Sequence, residues 1–142
     1  MDEYRFKLQK LYQLSDLSKI TNRIDLIQAG NYTPLTLSEG DSQEDINLKI
    51  LLDLFTIYEN LCRLNNSPEV DSIRTRISPL IEKLMKEWGY EFDKSMIAFQ
   101  PGYDSFDHVS IVIVSNGVRN DLVQDRDLFY SFKRCFVKAV EL

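Results

Sequence analysis

SQEDINLKILLDLFTIYENLCRL, Ser42 to Leu64, decides the fold. Ile46, Ile50, Leu54, Ile57, Leu61 and Leu64 recur at steps of three and four and share one helical side. Leu51, Leu52, Phe55, Tyr58 and Cys62 fill an adjacent side. A helix apolar on two faces has to be covered by other elements on both, so this is the central helix of the chain. Ser42 with Asp45 has the spacing of a capping box, with Asp where Glu or Gln is more common, and an acid in the first turn suits the positive helix start.

On the C-terminal side, Ser67-Pro68 opens the next helix, because serine caps free amides and proline at the first position loses no hydrogen bond. Ile73, Ile77, Leu80, Leu84 and Trp88 keep the helical step, Pro79 inside the pattern predicts a kink over 75–78, and Gly89 ends it. On the N-terminal side, NYTPLTLSEGD, Asn31 to Asp41, reads as a loop. Before it, Tyr4, Leu8, Leu11, Leu14, Leu17, Ile20, Ile24 and Ile27 predict a helix from about Asp2 to Ala29, with a break at Ser15-Asp16 as the alternative. The stripe reads as core packing, with a dimer seam as the other reading.

Past Gly89 the period changes. Tyr90 to Gln100 reads as one strand or two short ones, Pro101-Gly102 as a turn, and Val109 to Val114 as the best strand by β-branched content. Ser115-Asn116-Gly117 is a turn, Val118 to Asp127 is ambiguous, and Phe129 to Val140 reads as a final strand with an amphipathic helix as the alternative. The expected fold class is α+β in a single domain, 1–142. Three helices occupy 1–89, and a small antiparallel β-rich part occupies 90–142.

Size and composition limit the function. The chain has 142 residues, 44% of them hydrophobic and 27% charged, which suits one domain with its own core. A net charge of −5 repels phosphate backbones and anionic lipid, so neither nucleic acid nor membrane is an expected partner. Residues 46–64 are interrupted by charge and cannot span a bilayer. The charged start MDEYRFKLQKLYQ lacks the pattern of a secretory signal, and the cytoplasm is the expected compartment. Cys62 and Cys135 have neither metal nor disulfide spacing and are expected to be reduced core residues.

Catalytic motifs are not evident. His108 is the single histidine, so a two-histidine metal site is excluded. A site built on His108 with Asp104 and Asp107 is weighed against a polar turn before a strand, and the turn is preferred because neighbouring strand residues point to opposite faces. No glycine-rich phosphate cradle and no nucleophile elbow occurs. The expectation is a non-catalytic protein-binding module with no cofactor. The aromatics Phe129, Tyr130, Phe132 and Phe136 are read partly as core and partly as a docking surface.

Four segments carry a resemblance: LLDLFTIYENLCRL (Leu51–Leu64), IEKLMKEWGYEF (Ile81–Phe92), GYDSFDHVSIV (Gly102–Val112) and the terminal RCFVKAVEL (Arg134–Leu142). Together, over residues 48–142, they resemble the conserved half of GrpE-type nucleotide exchange factors, the cochaperones of DnaK-type chaperones. The resemblance implies that a β-domain wedge promotes nucleotide release from the chaperone ATPase domain, and that Phe106, Asp107, His108, Gly117, Arg119 and Arg134 contact the partner. The competing expectation is a small acidic secretion chaperone or adaptor that binds an exported client as a homodimer.

Overall fold

The computed structural model describes residues 7, 10, 11, 14–35, 39–64, 67–93, 96, 112–115, 118–121 and 132–136. Its body is three helices, α1 (Leu17–Gln28), α2 (Gln43–Arg63) and α3 (Pro68–Glu87). A preceding helical stretch includes Lys7, Lys10 and buried Leu11. The N-terminal helix is therefore broken where Ser15-Asp16 allowed it. Asp16 caps α1, accepting the Ser18 amide at 3.0 Å and the Ser18 hydroxyl at 2.7 Å.

The local signals of α2 and α3 are borne out in detail. Ser42 and Asp45 close the capping box from both directions, Asp45 N to Ser42 Oγ at 3.1 Å and Ser42 N to Asp45 Oδ2 at 3.3 Å. Ser67 accepts the Val70 amide at 3.1 Å. Gly89, at φ +83°, takes the left-handed conformation that lets the Tyr90 amide reach back to the Met85 carbonyl at 2.8 Å, so the last carbonyls of α3 are satisfied. Helix α3 runs on through Pro79, which is exposed.

Helix α2 is the centre of the molecule. Ile50, Leu51, Leu52, Leu54, Ile57 and Leu61 are fully buried, and α1 and α3 cover them with Ile20, Ile24, Ile27, Ile77, Ile81 and Leu84. Each such side chain contributes on the order of 1.5–3 kcal/mol relative to exposure. This core, not any sheet, holds the fold.

The expectation of an α+β chain with a β-rich part over 90–142 is overturned. Among the described residues, strand is confined to one antiparallel pair, β1 (Val112–Ser115) with β2 (Val118–Asp121), which sets Val112 opposite Asp121 and Ser115 opposite Val118. A lone two-stranded pair does not build a layer that could carry a core. Tyr90 leaves α3 in the helix-terminating turn, and Met96 closes a short turn on Asp93 at 2.9 Å. Where a final strand was expected, Phe132 and Lys133 are helical, with Cys135 N bonded to Phe132 O at 3.0 Å and Phe136 N to Lys133 O at 3.2 Å. The physical reason is spacing: Phe132 and Phe136 stand four apart, and one helical turn brings both rings onto Phe55, at 5.8 and 6.1 Å between centroids.

Candidate functional site

A cleft of about 610 Å³ lies between α1 and α3. The first turns of both helices line it, and Arg76 Nη2 further along α3 meets Asp25 Oδ1 further along α1 at 2.5 Å, so the two helices run side by side in the same direction. Leu17, Pro68 and Ile73 supply its apolar surface. Helical spacing puts Leu17 with Thr21, and Pro68 with Ser72, on the facing sides.

The rest of the lining is polar and mostly uncharged. Ser18, Thr21 and Asn22 come from α1 and Ser72 from α3. Glu69 is the acidic residue of the lining and is exposed, and Asp16 caps α1 at the same end. The Ser18 hydroxyl, foremost, and its amide hold the Asp16 carboxyl below the usual carboxylate range. Arg76 closes the far end, its guanidinium also donating to Gln28 Oε1 at 2.6 Å.

A second polar feature lies on the other side of α1. Asp53, fully buried on α2, accepts from Arg23 Nη2 at 2.5 Å, while Arg23 Nη1 donates to the Thr33 carbonyl at 2.9 Å. Lys49 pairs with Asp41 at 2.7 Å, and Lys7 Nζ donates to the Leu35 carbonyl at 3.1 Å. These groups fasten the loop between α1 and α2 to the helices on either side of it. Tyr32 from the same loop stacks edge-on against Trp88 at 5.4 Å. The cluster is a structural clasp, with none of its residues in the cleft.

Two of the residues singled out by the sequence fall on described positions. Arg119 lies in β2 opposite Val114 in the ladder, and Arg134 is exposed on the C-terminal turn between buried Phe132 and Cys135. Phe106, Asp107, His108 and Gly117 lie outside the described residues, as do Phe129 and Tyr130. Of the terminal aromatics read partly as core and partly as docking surface, the two described members belong to the core side: Phe132 is fully buried, and Phe136 is half-buried against Phe55, Phe132 and Tyr90.

Both cysteines are free thiols, Cys135 buried in the core and Cys62 half-buried. Burial pushes the Cys62 thiol up, and it pushes Cys135 up to about 11, so neither is poised as a thiolate. Among the described residues no group of His, Cys, Asp and Glu could hold a metal ion, and no helix is long and apolar enough to cross a membrane. Comparisons with protein-family models, curated proteins and solved structures found no match.

Sequence pattern does not reveal the cleft. It places Leu17 and Ile73 on core stripes, and Ser18, Thr21 and Ser72 on solvated faces. The one signal is the run of small polar residues beside an apolar stripe at the start of each helix, which is also what an ordinary amphipathic helix shows.

Proposed function

We propose that this chain is a non-catalytic protein-binding module that uses its helical body as the contact surface. The cleft between α1 and α3 carries the reading: an apolar floor with a hydroxyl and amide rim suits contact with a side chain. The raised thiols fit the same reading, because a protonated cysteine is a poor nucleophile.

A DnaK-type chaperone is the first partner to test. The segments Leu51–Leu64 and Ile81–Phe92, which carry half of the resemblance to GrpE-type exchange factors, lie on the adjacent helices α2 and α3 and the turn after Gly89. Such a factor would act by binding the open nucleotide cleft better than the closed one, which shifts that population without making or breaking a bond. The experiment is release of a fluorescent ADP analogue from a purified DnaK-type chaperone with and without this chain. Acceleration of about tenfold or more supports the cochaperone form. An unchanged rate together with no complex in analytical ultracentrifugation sinks it.

The secretion-adaptor form keeps the support of size and acidity, with a net charge of −5. It is separated from the first by a stable one-to-one or two-to-two complex with an exported client and no effect on an ATPase. A homodimer belongs to both forms, and the same sedimentation experiment reads it.

A further inference from the structure

We propose that residues 31–35, in the connection from α1 to α2, form a proton-coupled latch: the segment closes over Asp53 with a proton on that carboxyl and opens more readily once the carboxyl ionises. The latch goes beyond the binding-module reading and does not depend on it.

The bonds of this segment converge on one buried charge. Arg23 of α1 donates to the Thr33 carbonyl at 2.9 Å and to Asp53 of α2 at 2.5 Å, so one guanidinium ties the segment to both helices. The Leu35 amide bonds to the Asp53 carboxyl, and the Leu35 carbonyl accepts from Lys7 at 3.1 Å. Pro34 is buried, and Tyr32 sets its ring edge-on to Trp88 at 5.4 Å. Gly30, at φ +90°, joins the segment to α1 and lets the backbone change direction there at little steric cost.

The carboxyl under the latch is the group that loses most by closing. Asp53 is fully buried while Arg23 keeps 16% exposure, and Asp53 Oδ1 and Arg23 Nε are enclosed without a hydrogen bond. Closing strips water from a carboxylate that is then only half-compensated, which favours the neutral form. The charges that face Asp53 are Arg23 from α1 and Lys49 from one turn earlier on α2. Asp41, from the same connection, sits on Lys49 at 2.7 Å, and Lys7 of the preceding helical stretch is turned to the Leu35 carbonyl. Burial outweighs the two cations and pushes the Asp53 carboxyl up to about 6. An aspartate in water titrates near about 3.9, so closing takes up a proton between these values, and the closed form is weakened by up to about a hundredfold as the pH rises across them.

Native-state amide exchange of the full chain, followed by NMR at low urea and corrected for intrinsic rates at each pH, tests the latch. The Leu35 amide is expected to exchange through a local opening with a weaker urea dependence than the Leu54 amide in α2 or the Leu84 amide in α3, which exchange through global unfolding. Its opening constant is expected to rise about tenfold from pH 5 to pH 7. Asp53→Asn removes the titration, so the opening constant should then be the same at both pH values. Tyr32→Ala should raise the opening of Leu35 about threefold or more at both pH values and leave the tenfold ratio intact, because Tyr32 holds the segment on Trp88 and not on Asp53. If Asp53→Asn does not fold, the wild type and Tyr32→Ala decide the question. Exchange of Leu35 with the rate and urea dependence of Leu54 and Leu84 overturns the latch, since the segment then moves only with the whole fold. An opening constant indifferent to pH, a pH ratio retained in Asp53→Asn, or a Leu35 amide indifferent to Tyr32→Ala overturns it equally.

Discussion

Arg23 and Asp53 form an ion pair in which one oxygen of the carboxylate is bonded to the guanidinium and the other has no partner. Arg23 Nη2 lies 2.5 Å from Asp53 Oδ2, whereas Asp53 Oδ1 and Arg23 Nε are buried without a hydrogen bond. A buried charge is stabilised only when its lone pairs are met, so this acid is half-compensated. The desolvation wins: burial pushes the Asp53 carboxyl up to about 6, against the pull of Arg23, the Leu35 amide and Lys49.

The pH dependence follows from the direction of that change. An unfolded aspartate titrates near about 3.9, so between about pH 4 and pH 6 the folded chain holds a proton that the unfolded chain has released. Stability from this group is full below about 4, falls as the pH rises through that window and is level above about 6. A hundredfold gain in proton affinity on folding corresponds to at most about 3 kcal/mol. Urea unfolding of the wild type is expected to show a higher midpoint at about pH 5 than at pH 7, and Asp53→Asn is expected to flatten that slope, whatever its constant offset from losing the Arg23 partner. A slope retained in Asp53→Asn would assign the effect elsewhere.

Phe132 is expected to be a stability residue with no role in docking. It is fully buried and packs edge-on against Phe55 on α2, with Phe136 4.6 Å away between centroids. Phe132→Ala should cost about 3–5 kcal/mol by lost transfer and a residual cavity, and Phe136→Ala less, because Phe136 keeps part of its surface in water. Equilibrium unfolding checks both. A Phe132→Ala variant as stable as the wild type would show that the C-terminal turn does not belong to the core.

The helices are legible in the sequence and their surroundings are not, for reasons particular residues show. Ser42 with Asp45, Ser67-Pro68 and Gly89 act through bonds within one turn, so their spacing in the sequence is the spacing of the interaction. The apolar faces of α2 announce a central helix because nothing else explains so many leucines and isoleucines in a row. The region after Gly89 misleads because aromatic residues serve strands and single helical turns alike. Tyr90 donates its hydroxyl to Glu44 at 3.1 Å and packs its ring on Phe136, contacts that no local pattern contains. The cleft depends on the side-by-side register of α1 and α3, in which Asp25 meets Arg76 across 51 positions of sequence, and the Arg23 to Asp53 pair spans 30. Long-range pairings of that kind leave no periodic trace.

The C-terminal turn is also tied to the start of α2, and that tie separates a cap from an ion pair. Lys133 Nζ lies 2.8 Å from Asp45 Oδ1, while Asp45 Oδ2 accepts the Ser42 amide. The Lys133 contact, foremost, holds the Asp45 carboxyl below the usual range, so its contribution is present above about pH 4 and is lost as the pH falls through the depressed value. Both side chains keep contact with water, at 23% and 37% exposure, so the pair itself should be worth no more than about 1 kcal/mol. Ser42→Ala should cost about 1 kcal/mol by removing the acceptor for the Asp45 amide. A double-mutant cycle of Asp45→Asn with Lys133→Met at pH 7 is expected to give a coupling below about 1 kcal/mol that is lost as Asp45 is protonated in acid. Asp45→Ala should cost more than Lys133→Met, because it removes the reciprocal half of the capping box as well as the ion pair. If the two single variants are equally destabilised, the box contributes nothing, and the C-terminal tether alone accounts for Asp45.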